Sequence, residues 1–189
     1  MEKRPFSIIL IIFSLAVFCS YHIYYYVMNE TNNNLVKNYD IKEVKKENIV
    51  QKVSNDKEEY LAILEIPKLN LSKGFYNINS SNNNVNKNIT LLKGSTMPNN
   101  SGSIIYLAAH SGTGYIAYFK DLNKLSIDDI INIRYQNKTY SYSINDIYET
   151  VKNGTITVNH NIHENYLVLT TCSKSKNQQL VITSKLINS

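Results

Sequence analysis

The sequence predicts an all-β domain, a closed barrel of about eight strands with one or two short helices, preceded by one N-terminal transmembrane helix. Three observations predict it. Phe6 to Val27 (FSIILIIFSLAVFCSYHIYYYV) carries no Asp, Glu, Lys or Arg. From Tyr60 onward, short apolar runs recur at regular intervals between turn residues, most with a period of two. Only one later stretch, Ile116 to Leu125, carries apolar residues at helical spacing.

The first element is an anchor. At about 1.5 Å rise per residue, Phe6 to Val27 spans the roughly 30 Å hydrocarbon core. Tyr21, Tyr24, Tyr25 and Tyr26 crowd its far end as an interfacial aromatic belt does. Tyr-Val-Met-Asn-Glu follows the run instead of a small-x-small cleavage site, so the segment reads as an uncleaved anchor. Residues 1–5 form a cytoplasmic tail and residues 28–58 an external stalk, polar and rich in Asn, Lys and Glu. Lys3 and Arg4 favour a cytoplasmic N-terminus, and the near flank Met28 to Val36 holds no basic residue. Lys37, Lys42, Lys45 and Lys46 pull the other way, but large domains cross largely regardless of charge. The domain, residues 59–189, is therefore placed outside the cell membrane.

Within that domain, Tyr60 to Ile66 is a strand halted by Pro67, Asn88 to Lys93 a short one, and Ser103 to Ala109 a buried one. Ile130 to Tyr135 and Thr139 to Ile147 flank the hairpin turn Gln136-Asn137-Lys138. Gly154 to Val158 reads as a further strand, and Tyr166 to Thr171 and Gln179 to Ile187 as the last two. Ile116, Phe119, Leu122 and Leu125 share one face of the single helical stretch, and the Asn-rich patch Ser80 to Asn88 reads as a surface loop. There is no repeat and no nucleotide-binding loop.

The net charge is +5. No basic block alternates with aromatics, so no nucleic-acid partner is expected. Of two cysteines, Cys19 lies in the span, which leaves Cys172 alone in the outer domain. A lone thiol in an exported domain is a reactive group, an intermolecular partner or a small buried hydrophobe. A thiol redox role lacks a resolving cysteine. A nucleophilic thiol needs a neighbour that stabilises it or manages its proton, and histidine is the usual one. His110 ends one strand as Cys172 ends another, and two strand ends of one barrel can bring their side chains together. His160 and His163 sit in a polar loop; with Cys172 and Glu164 their spacing matches no zinc site, and no metal or other cofactor is expected.

Four motifs together resemble the sortases, membrane-anchored cysteine transpeptidases of Gram-positive surfaces. They are Val168-Leu169-Thr170-Thr171-Cys172, Leu107-Ala108-Ala109-His110-Ser111-Gly112, Asp121-Leu122-Asn123-Lys124-Leu125 and Leu64-Glu65-Ile66-Pro67-Lys68. The resemblance implies that Cys172 attacks the carbonyl at the scissile bond of a surface protein's sorting signal. His110 then protonates the departing amine and later deprotonates the incoming one, from a peptidoglycan precursor or a protein. Thr171, Ala109 and Ser111 beside this pair are the candidate substrate-binding residues. The short segments Ser173 to Gln178 and Thr150 to Tyr166 resemble class D more than class B. The first threonine of the family's cysteine motif is Val168 here, and a second departure from the family matters more. The family's arginine at the start of the last strand is absent, and Gln179 stands there, before Leu180-Val181-Ile182. Either Gln179 supplies the oxyanion donor, or Lys174 or Lys176 of the adjacent loop does, or catalysis is weak. A catalytically silent, membrane-tethered peptide-binding module is the competing reading.

Overall fold

The computed structural model describes residues 4–46, 59–158 and 160–189. A single helix, α1 (Arg4–Lys46), carries the apolar run. Its side chains from Ile9 to Val27 lie open rather than against the barrel, and its length and hydropathy suffice to cross a membrane. The helix does not stop at Val27. Residues 28–46 contain no Gly or Pro, and Leu35, Val36 and Tyr39 pack on Tyr60, Ile63 and Tyr76 of the barrel. Tertiary packing of one face sustains a polar helix that propensity alone supports weakly. The expected tail and stalk fall partly outside the described residues, at residues 1–3 and 47–58.

The strands are β1 (Ala62–Ile66), β2 (Leu71–Phe75), β3 (Thr90–Leu91), β4 (Ile104–Ala108), β5 (Ile130–Tyr135), β6 (Lys138–Val151), β7 (Tyr166–Cys172) and β8 (Gln178–Asn188). They form one sheet in the order β2-β1-β5-β6-β8-β7-β4-β3. Every pair is antiparallel except β4 with β7. The sheet curls into a nearly closed barrel. Its edges approach where the Asn88 side-chain amide donates to the Gly74 carbonyl at 3.0 Å, linking β2 to the segment before β3. Leu64, Phe75, Leu107, Ile133, Tyr142, Leu169 and Ile182 meet in the interior.

Strand β2 has no counterpart in the sequence reading. Its sequence, LSKGF, places a lysine and a glycine where a strand pattern wants apolar or β-branched residues. Gly74 is there because the Tyr60 ring lies on it: a Cβ at this position would sit 1.9 Å from the ring. The segment expected to be helical, Ile116 to Leu125, contains only a 3₁₀ turn, Leu122–Lys124, within a chain of bonds three residues apart. Apolar residues at a strict interval of three fit 3.0 residues per turn better than 3.6. Phe119, Leu122 and Leu125 are buried as that face requires. Gly154 to Val158 is not a strand. Ile156 and Val158 instead cover the outer side of Tyr166, Val168 and Val181. Strand β7 is thereby buried on both faces, which explains its unbroken apolar sequence.

The β5–β6 hairpin turns on Gln136 (φ 50) and Asn137 (φ 61), two left-handed residues that match the twist of the flanking strands.

Candidate active site at the ends of β4 and β7

The parallel pairing of β4 with β7 runs to Ala108 opposite Thr170. Two residues further on, each chain leaves the sheet at a chemically distinctive side chain, His110 on one and Cys172 on the other. Three hydrogen bonds hold these exits together. The Ala109 N–H donates to the Thr170 carbonyl at 3.4 Å. The Thr171 hydroxyl donates to the Ala109 carbonyl at 2.7 Å, and the Ser111 hydroxyl to the Cys172 carbonyl at 2.7 Å. A fourth, from the Phe119 N–H to the His110 carbonyl at 3.0 Å, ties the histidine to the core through a fully buried ring. Thr171, Ala109 and Ser111, candidates for touching substrate, are thus engaged in fastening the two strand ends.

Cys172 is exposed and its thiol is free. The Lys152 ammonium lies 3.3 Å from its Sγ. Lys152 leaves the end of β6, and its backbone N–H donates to the Asn177 carbonyl at 2.9 Å, which fixes where the side chain starts. Sequence reading missed it. Lys152 is remote from Cys172 along the chain, and the contact arises because β6 and β7 both flank β8.

Gln179 is paired across the sheet with Cys172 on β7 and with Thr150 on β6. Its amide N–H donates to the Thr155 carbonyl at 3.2 Å. Lys174 and Lys176 are exposed on the β7–β8 turn, with no hydrogen bond to Cys172 among the described residues. The turn itself is closed by the Ser173 N–H to the Gln178 carbonyl, 3.0 Å, and by the Ser173 hydroxyl to Glu149, 2.6 Å.

The His110 imidazole is half-buried, and its Nε2 meets the Asn86 Oδ1 at 3.1 Å. Among the described residues no hydrogen bond joins it to the thiol. Asn86 belongs to the Asn-rich patch read from sequence as a plain surface loop, so its contact with the histidine is a second residue the sequence reading did not single out. His160 and His163 stand apart from this cluster: His160 Nδ1 meets the Val158 carbonyl at 3.1 Å, and the His163 backbone N–H donates to Asn161. Among the described residues no three His, Cys, Asp or Glu side chains gather in a way that could hold a metal ion.

The arrangement is an exposed thiol with a cation beside it and a histidine at the next strand end, all at the ends of barrel strands. Known folds with this barrel are numerous. The chain matches a Clostridium perfringens Sortase D5 transpeptidase over 85% of its own length and 98% of that chain, at 21% identity and a TM-score of 0.63. Sortase A from Corynebacterium diphtheriae, in a lid mutant, matches over 71% and 74% of the two chains, at 19% identity and the same TM-score. A Clostridium perfringens sortase C solved with the C-terminal cell wall sorting motif matches over 90% and 99%, at 20% identity and a TM-score of 0.59. At these identities the likeness is one of fold, and it extends over several sortase classes. Among curated proteins no sequence matches the chain. The Sortase domain family model matches residues 64–187, from β1 to the end of β8 and through both strand ends of the site. The chain belongs to the sortase family.

Proposed function

We propose that this chain is a membrane-anchored cysteine transpeptidase that cleaves the C-terminal sorting signal of surface proteins and passes the acyl group to an amine. Family membership supports the reaction class. The single observation that carries the reading is the free, exposed Cys172 thiol with the Lys152 ammonium 3.3 Å from its sulfur.

The roles follow from chemistry at those atoms. The Cys172 sulfur adds to the acyl carbonyl, and the C–N bond breaks as His110 gives its proton to the departing amine. The thioester is then attacked by the amine of a peptidoglycan precursor or protein. His110 takes that amine's proton, and the Cys172 thiolate leaves. Lys152 balances charge on the oxyanion during attack, work that the family gives to an arginine. Gln179 braces the segment after β6 through the Thr155 carbonyl and so positions Lys152; its remaining amide hydrogen is a secondary oxyanion donor. Before catalysis His110 must exchange its Asn86 partner for the substrate amine. That bond also favours the second reading, a silent peptide-binding module, because it holds the imidazole on a side chain other than the thiol.

The apolar stretch of α1 crosses the membrane with the N-terminus inside, which sets the barrel on the outer face where sorting signals are met. Protease added to intact, wall-stripped cells digests the barrel if this is right, and full protection overturns it. For the activity, full-length protein is incubated with sorting-signal peptides encoded in the same genome and with an amine acceptor. An amine-dependent product that disappears in Cys172→Ala supports the transpeptidase. Peptide binding without product, for every peptide and amine, supports the silent module.

A further inference from the structure

Away from the active cysteine, the strand that sequence analysis missed carries a buried cation. Lys73, on β2, is 6% exposed. Its ammonium donates to the Tyr60 hydroxyl at 3.1 Å and lies 4.9 Å from the centre of the Tyr118 ring. Among the described residues no carboxylate pairs with it. Burial lowers its pKa to about 8.

The lysine lines a cavity of about 360 Å³ between α1 and the barrel, within the range of roughly 300–1,000 Å³ typical of small-molecule sites. Among the described residues no carboxylate lines this cavity; Lys87 and the amides of Asn32, Asn82, Asn86 and Asn88 do. Asn88 is 2% exposed, and its Oδ1 has no hydrogen-bond partner among the described residues. Two buried groups around one cavity are therefore incomplete: a cation without an anion and an acceptor without a donor. Leaving either so is costly. The position of the cavity narrows the ligand further. It is lined by Tyr24, in the aromatic belt of the anchor, and the Tyr24 ring contacts Tyr115 of the barrel, centres 4.6 Å apart. Such belts lie at the level of lipid headgroups.

We propose that this cavity binds a phosphate-bearing, hydroxyl-bearing headgroup of glycerol phosphate chemistry, with Lys73 on the phosphate and Asn88 Oδ1 accepting from a hydroxyl. Lysine binds phosphate as a point charge and needs no forked geometry. The amides of Asn82 and Asn86 and the Lys87 ammonium stand on the loop side of the same cavity. The membrane source rests on the reading of α1 as an anchor; the phosphate chemistry does not.

The test uses full-length protein in neutral maltoside micelles, titrated by calorimetry with short-chain phosphatidylglycerol, short-chain phosphatidylcholine and soluble glycerol phosphate. Saturable binding of phosphatidylglycerol, tighter than phosphatidylcholine and weakened about tenfold or more in Lys73→Met, is expected from loss of one charge-assisted hydrogen bond. Saturable binding of glycerol phosphate with the same dependence, but no gain from the lipid form, supports the chemistry with a soluble source. Absence of saturable binding by phosphatidylglycerol and glycerol phosphate, equal affinity for the two lipids, or unchanged affinity in Lys73→Met overturns the proposal. Lys73→Met removes a buried, unpaired charge, so its melting temperature is expected to hold or rise. Should that variant misfold, wild-type protein supplies the same test through pH. The phenols of Tyr24, Tyr60, Tyr76, Tyr115 and Tyr118 and the ammonium of Lys87 surround the cavity, and affinity is expected to fall as pH rises above about 8, where Lys73 loses its proton. Affinity constant through that range overturns the assignment to Lys73. Transpeptidation, read separately in the same preparations, keeps failure of this site distinct from failure of the enzyme reading.

Discussion

Two lysines divide the chemistry of this molecule. Lys152, at the open end of β6, is exposed and touches the sulfur of Cys172. Lys73, inside the junction of α1 with β2, is buried with a phenol and aromatic faces and, among the described residues, no counter-charge. Solvent reaches the first, which leaves its side chain free to move toward a group bound beside the sulfur. The second carries the full desolvation penalty of its site until an anion arrives. Burial, rather than residue type, decides which of the two serves a reaction and which waits for a ligand.

Substitutions at the open end are expected to have the largest effects. Cys172→Ala removes the proposed nucleophile, and no transpeptidation should remain by chromatographic product assay; residual turnover would assign the nucleophile elsewhere. His110→Ala removes the proposed proton donor and acceptor and should lower turnover by about 10²–10⁴-fold. His160→Ala and His163→Ala, whose contacts lie in their own loop and at the Tyr166 ring, at the opposite end of β7 from Cys172, should stay within a few fold of wild type, roughly the effect of surface substitutions.

The cation contrast is sharpened next. Lys152→Ala should lower turnover by about 10²-fold, as the loss of one oxyanion donor does, and Lys152→Arg should restore most of it. It should also slow alkylation of Cys172 by iodoacetamide, a readout that a purely structural role would leave unchanged. Gln179→Ala loses only the brace to Thr155 and a secondary donor, and a fall of about tenfold is expected, in the range of one neutral hydrogen bond. Larger loss in Gln179→Ala than in Lys152→Ala would transfer the oxyanion role to the glutamine. Collapse in Lys174→Ala or Lys176→Ala would move it to the β7–β8 turn.

The last expected effect is on stability rather than turnover, and it belongs to the closed site. In the unfolded chain Lys73 titrates near the ordinary lysine value of 10.5, and in the folded chain near 8. Below pH 8 both states hold the proton and the burial cost is felt in full. Between about pH 8 and 10.5 the folded chain has released the proton while the unfolded chain keeps it, so this group makes stability rise with pH, by on the order of 3 kcal/mol at most. Burial holds the Tyr118 hydroxyl up at about 12 and Tyr60 higher still, so these phenols make stability fall as pH passes 10, and the Lys73 contribution is read below that point and as the difference from Lys73→Met. Urea midpoints measured from pH 7.5 to 10 should increase in wild type relative to Lys73→Met. Parallel curves would contradict the buried-cation account.

The same contrast explains what was legible in the sequence. Strands with a buried face announced themselves: β5 was readable end to end, and β4 and β7 through apolar runs that stop at His110 and Cys172. Cys172 and His110 could be singled out because each ends such a run. Strand β2 could not, because the lysine that makes it interesting breaks the pattern, and its glycine answers to a tyrosine ring that sequence does not place. Nor could Lys152 or Asn86 be assigned partners. Both contacts depend on the order of strands around the barrel and the path of a loop, which local periodicity does not encode. The helix expected over Ile116 to Leu125 failed for a local reason, since spacing by three suits a tighter turn than the α-helix.

The central claim is that the exposed end of β7 carries the acyl group during turnover. Its most direct test is intact-mass and peptide-mapping spectrometry of full-length protein quenched in acid after mixing with sorting-signal peptides from the same genome. The account predicts an acyl adduct on the peptide containing Cys172, released by neutral hydroxylamine as a thioester is, absent in Cys172→Ala and accumulating when no amine is supplied. Turnover without that adduct, or an adduct carried by any other residue, would contradict it.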